Sequence, residues 1–203
     1  GFRLSHTMMP VTVPSQEEVD AFLPPYRLPY QISPEAPINI NPVVMTDSLP
    51  GPDGTLCPSY MGFRRRLQET LEAAPPLIAS VGRDFGEAFG RSYEAPLYRY
   101  GPENARFLFV TMGSLASEAS QATDILRDQG IEIGVVGVRM FRPFPAQALA
   151  EAVAGAEGLI VLEKAISYGY EGALASELKA ALFSHNSNRP LVYNFILGLG
   201  GKD

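Results

Sequence analysis

Arg106-Phe107-Leu108-Phe109-Val110-Thr111-Met112-Gly113 opens the stretch whose reading decides the fold. A polar, alanine-rich segment carries the chain to Gly130, and a second apolar run ends at Met140. Phe141-Arg142-Pro143-Phe144-Pro145 then forms a corner, followed by a further helical segment, Gly158-Leu159-Ile160-Val161-Leu162-Glu163 and Lys164. A nearly continuous apolar run such as Phe107–Met112 is expected of a strand covered on both faces. Strand, helix and strand in repeated succession predict two crossover units of a parallel sheet.

Within this unit, Ser114 is suited to N-cap the first helix. Leu115, Ala119, Ala122, Ile125 and Leu126 would form its buried face. Gly134 and Gly137 in the strand Ile131–Met140 leave room for a helix to pack closely. At the corner, Pro145 suits the first helical position and Pro143 holds Arg142 extended. Arg142 could clamp an anion; the plainer role, favoured here, ties down the corner through carbonyls or a carboxylate. Gly113-Ser114 follows a strand and opens a helix, where open α/β sheets bind ligands and helix N-termini attract anions. It has no Gly-x-Gly-x-x-Gly run and no lysine in the turn, and simple capping competes with anion binding. Ser167-Tyr168-Gly169-Tyr170-Glu171-Gly172 is a weaker turn of the same kind. Glu163 and Glu171 read as a strand-end and a helix-start charge, since nothing in the sequence gives either the partner an acid or base needs.

Beyond the unit, a helix is predicted over Glu171–Phe183 and a last strand over Leu191–Ile196, ahead of the tail Gly198-Leu199-Gly200-Gly201-Lys202-Asp203. On the other side, apolar residues at Leu67, Leu71, Ala74, Ile78, Val81, Phe85 and Ala88 keep helical phase across Pro75-Pro76. The pattern predicts a kinked helix, or two stacked helices sharing one buried face, with Arg64-Arg65-Arg66 on a solvated face. Residues 1–57 are proline-rich and predicted to be an extended arm with apolar anchors. One helical turn is predicted there, with Ser15 and Glu18 as a capping box. The expected organisation is therefore an arm over 1–57 and an α/β domain over 58–203, with five mostly parallel strands flanked by helices.

Composition narrows the chemistry. The 203 residues carry a net charge of −6, which argues against a nucleic-acid surface. Cys57 is the single cysteine, so the chain forms no internal disulfide framework and cannot ligate an iron–sulfur cluster alone. His6 and His185 are too few and too isolated for a zinc site. No run of about 18 apolar residues predicts a membrane span. A cytoplasmic setting is expected from the cysteine usage. The chain opens at Gly1 without an initiator methionine or a signal-peptide pattern, so a fragment, a processed chain or an incomplete subunit is expected.

Five ordered segments carry a family resemblance: Gly1-Phe2-Arg3-Leu4-Ser5-His6, Gly90-Arg91-Ser92-Tyr93, Met112-Gly113-Ser114, the Phe141–Pro145 corner and the glycine-rich tail. Together they resemble the α subunit of pyruvate:ferredoxin oxidoreductase (pyruvate synthase) and its 2-oxoacid relatives. The Pro75-Pro76 interruption, and Lys202 where arginine is expected, are departures. The resemblance implies a transketolase C-terminal-like domain preceded by the end of a thiamine-diphosphate-binding part whose site residues lie upstream of Gly1. It implies no catalytic and no metal-binding residue in this chain. Ser5, His6, Arg91, Tyr93, Phe141, Arg142, Phe144, Gly200 and Gly201 would be interface or structural residues. Thiamine diphosphate, Mg and 4Fe-4S clusters would belong to the complex, with thiamine-binding, gamma-type and ferredoxin-type subunits as partners and CoA and ferredoxin as its reactants. The complex would convert a 2-oxoacid to acyl-CoA, CO2 and reduced ferredoxin. The corner and tail most resemble the pyruvate branch, with oxalate, phenylglyoxylate and branched-chain oxoacids open. This chain would be the non-catalytic assembly portion, inactive alone. The rival from another class is a free-standing nucleotide- or anion-binding module using Gly113-Ser114.

Overall fold

The structure, a computed structural model, describes residues 10–26, 49–50, 56–57, 60–185 and 189–199. Contacts divide the chain into two compact units, Val13–Ser92 and Tyr93–Asp203 with Gly1–Thr12. Proline content put the sequence boundary at 57/58; the units divide at 92/93. Most of the proline-rich arm lies outside the described residues, as do Ser5, His6, Gly200 and Gly201.

The Val13–Ser92 unit begins with α1 (Gln16–Phe22), whose Ser15–Glu18 capping box is formed as the sequence indicates. The Glu18 amide donates to Ser15 Oγ at 3.2 Å, and the Ser15 amide donates to Glu18 Oε2 at 2.7 Å. These bonds to Ser15, the backbone one foremost, hold the Glu18 carboxyl below its usual range. Two short strands, β1 (Leu49–Pro50) and β2 (Leu56–Cys57), pair antiparallel. Then come α2 (Tyr60–Glu72) and α3 (Pro75–Phe89). Pro75 stands at the start of α3, so the prolines divide the run into two helices, one of the two forms expected, and do not kink a single one. Gly90, at φ 68°, closes α3. Phe22 packs edge-on against Phe85 and Phe89, with centroids 5.7 and 5.4 Å away. The shared apolar face of α2 and α3 is not buried as expected. Leu67, Leu71, Ile78 and Val81 are 38–48% exposed.

The second unit holds one sheet of β3 (Leu97–Tyr100), β4 (Phe107–Met112), β5 (Ile133–Val138), β6 (Gly158–Glu163) and β7 (Leu191–Ile196) in the order β3-β5-β4-β6-β7. β5, β4, β6 and β7 run parallel, and β3 pairs antiparallel with β5. The helices are α4 (Ser114–Asp128), α5 (Ala146–Ala152) and α6 (Ala173–His185). Side chains alternate across a strand, so register fixes which residues share a face. Leu108, Val110, Val136, Leu159 and Val161 share the face that α5 and α6 cover with Leu149, Val153, Leu174 and Leu178. α4 lies on the opposite face. A Cβ at Gly137 would sit 3.2 Å from Ala116, so this glycine admits the helix as anticipated. Gly134 instead meets the Tyr100 carbonyl and the Ala105 and Leu108 side chains. The buried side of α4 is Leu115, Ala119, Ser120 and Thr123, and Ile125 points outward, contrary to the expected face. The phase is set by Ala119 and Thr123, small enough to let the helix approach the sheet. Over β6 and β7 the α4-side face is only partly covered: Ile160 and Leu162 are half-buried, and Leu191, Tyr193 and Phe195 are exposed.

Candidate functional site

Four parallel strands deliver their C-terminal ends to one edge, and the chemistry-bearing segments picked out from the sequence leave from it. β4 and β6 are neighbours, yet α4 and α6, which follow them, lie on opposite faces. A crevice outside the strand ends at such a switch point is the usual ligand position in open α/β sheets. Gly113 and Lys164 begin its two sides. Thr111 Oγ1 donates to the Leu162 carbonyl at 2.7 Å and locks the two strands just beneath it.

The turn after β4 differs from the expected one. Gly113, at φ 63° and ψ −141°, is itself the N-cap, and Ser114 is the first helical residue without a capping bond. A residue with a side chain resists that φ, which is why glycine stands there. Nothing lies within 4 Å of a Cβ placed at Gly113, so the turn opens onto free space. Its amides have the chemistry to face an anion.

The corner after β5 is a tie. Arg142 Nη1 donates to the Phe141 carbonyl at 2.9 Å, Nη2 pairs with Glu177 of α6, and the guanidinium lies 4.4 Å from the Phe141 ring centroid. Phe141 and Phe144 pack edge to face at 5.8 Å and rest against the core. The Arg142–Pro143 peptide is cis. Pro145 takes the N-cap position instead of the first helical position expected of it, and the helix starts one residue later, at Ala146. Beside the corner, Arg139 stacks 5.1 Å from the Tyr93 ring and 5.6 Å from the Tyr98 ring. Arg91, in the other unit, lies 5.5 Å from Phe85. The corner residues are thus engaged with the chain itself, as the plainer reading of Arg142 holds.

The turn after β6 holds what sequence reasoning missed. Glu163 is only 3% exposed. Its Oε2 accepts from the Leu174 amide at 2.8 Å, and its Oε1 from the Ala175 amide at 3.1 Å and Asn194 Nδ2 at 2.8 Å. Asn194 Oδ1 in turn accepts from the Gly172 amide at 2.9 Å. A strand-end carboxylate therefore caps the next helix, where free amides and the helix dipole favour negative charge. Any side chain at Gly172 would collide with that carboxylate. The available signal was Gly172-Ala173-Leu174 opening a helix with no Ser, Thr, Asp or Asn at its N-cap, nine residues after an acid. Glu171, expected at the helix start, lies before α6; it pairs with Lys179 and accepts from Ser176 Oγ at 3.3 Å.

Between these anchors, the Tyr170 amide donates to Ser167 O and the Ser167 amide to Glu171 O, both at 2.9 Å. Gly169, at φ 82°, makes the bend. Tyr168 and Tyr170 stand 93% and 75% exposed on it. Among the described residues no three His, Cys, Asp or Glu side chains gather to hold a metal ion. With one cysteine in the chain, the donor set does not fit an iron–sulfur cluster. No helix among the described residues is long and apolar enough to cross a membrane.

The sheet, its crossovers and its tied-down edge define an α/β crossover domain whose charged groups secure the fold. Residues 105–203 match the family described as pyruvate:ferredoxin oxidoreductase core domain II. The match takes in just under half of the chain, and curated relatives extend the similarity to the rest of it. The chain is 40% identical, over its whole length, to the ketoisovalerate oxidoreductase subunit VorA of Pyrococcus abyssi, and 38% identical to the pyruvate synthase subunit PorA of Methanothermobacter thermautotrophicus. It covers 49% of each, so the chain spans about half the length of these curated relatives. A solved 2-oxoglutarate:ferredoxin oxidoreductase from Magnetococcus marinus aligns over 84% of this chain and 27% of that one, at 17% identity and a TM-score of 0.42.

Proposed function

We propose that this chain is the non-catalytic assembly portion of a 2-oxoacid:ferredoxin oxidoreductase. The observation that carries the proposal is similarity across the entire chain, at 38–40% identity, to proteins named as subunits of such enzymes. The geometry is consistent with it. Arg142, Glu163 and Glu171, the charged side chains flagged at the strand ends, all hold neighbouring segments in place. On this reading other chains or domains of the complex bring thiamine diphosphate, Mg and the 4Fe-4S clusters. The whole assembly converts a 2-oxoacid and CoA to acyl-CoA, CO2 and reduced ferredoxin in the cytoplasm. Pyruvate is the first substrate to test. Ketoisovalerate is the second, because relatives named for it match equally well.

The test is purification of the tagged, full-length protein from its own cells. Pyruvate- and ketoisovalerate-dependent, CoA-dependent ferredoxin reduction is then measured for the complex and for this chain alone. Activity in the complex and none in the isolated chain is expected; turnover by the chain alone sinks the assembly role. The second reading, an anion- or nucleotide-binding module, draws on the open turn at Gly113. A clear thermal shift of the isolated chain by a nucleotide, thiamine diphosphate or CoA would favour it.

A further inference from the structure

We draw no further inference here: the strongest candidate, the open apolar face of the sheet edge where Leu191, Tyr193 and Phe195 of β7 stand beside Ile160 and Leu162 of β6, carries nothing because nothing in the structure shows what covers it.

Discussion

The sheet unit and the α2–α3 pair begin from equally good apolar patterns and end differently. In the sheet unit the pattern becomes burial, with Leu149, Leu159, Leu174 and Leu178 fully inaccessible. In α2 and α3, Leu67, Leu71, Ile78 and Val81 keep helical spacing yet stay open to solvent. Periodicity specifies which side chains share a face. What covers that face depends on elements distant in sequence, and in the sheet unit β4, β6, α5 and α6 supply it to each other. The lesson is that an amphipathic face states a demand that only the surrounding architecture can meet.

Substitutions probe this contrast. Leu159→Ala should be the most damaging, at about 3–5 kcal/mol, because a fully buried leucine leaves a cavity as well as lost contacts. Urea unfolding followed by β-sheet circular dichroism reads it. A value below about 1 kcal/mol would mean the core is looser than its burial indicates. Glu163→Ala should follow at about 2–4 kcal/mol, since it strands the Leu174 and Ala175 amides and the Asn194 side chain. Hydrogen exchange should quicken at Leu174 and Ala175 well before it does in β4. Equal acceleration everywhere would contradict a local clamp.

Leu71→Ala, the matched change on α2, should shift stability by less than about 1 kcal/mol. A loss as large as that of Leu159→Ala would show that the α2 face is covered in the folded protein. Thr123→Val is expected to be neutral or slightly stabilising. Thr123 Oγ1 is buried with no hydrogen-bond partner, and a methyl group of the same shape has nothing to satisfy. The smallest effect belongs to the capping box of α1. Because Glu18 titrates below its usual value, the stability it lends the helix is fully present above the unfolded value and fades as pH falls through the lowered one. Acid titration of α1 helicity should lose this dependence in Glu18→Gln.

Much of the fold was legible because its signals are local. Phe107–Met112 and Gly158–Glu163 are apolar runs of strand length, the helices between them have the right period, and Ser15 with Glu18 writes a helix start within four residues. Errors arose where backbone geometry or a distant partner decides. Ser114 has the side chain of an N-cap, but Gly113 already adopts the capping position with a positive φ that serine would resist. Ile125 fits the helical spacing, yet the flat approach of α4 to Gly137 rotates Thr123 and Ser120 inward instead. Glu163 reads in the sequence as a plain strand-end charge because its partners, Leu174, Ala175 and Asn194, come from another helix and another strand. The Arg142 tie was legible in kind, though Glu177 as its carboxylate was not.

The Glu163 clamp has a consequence for how this fold can diverge. By joining the end of β6 directly to the start of α6, it separates the residues between them from the integrity of the scaffold. Substitutions or insertions at the tip around Tyr168 leave that junction untouched, so the segment is free to drift, lengthen or be exchanged while the framework is inherited unchanged. Such a position is a natural graft point, for evolution and for an engineer who wants a new surface on an old sheet.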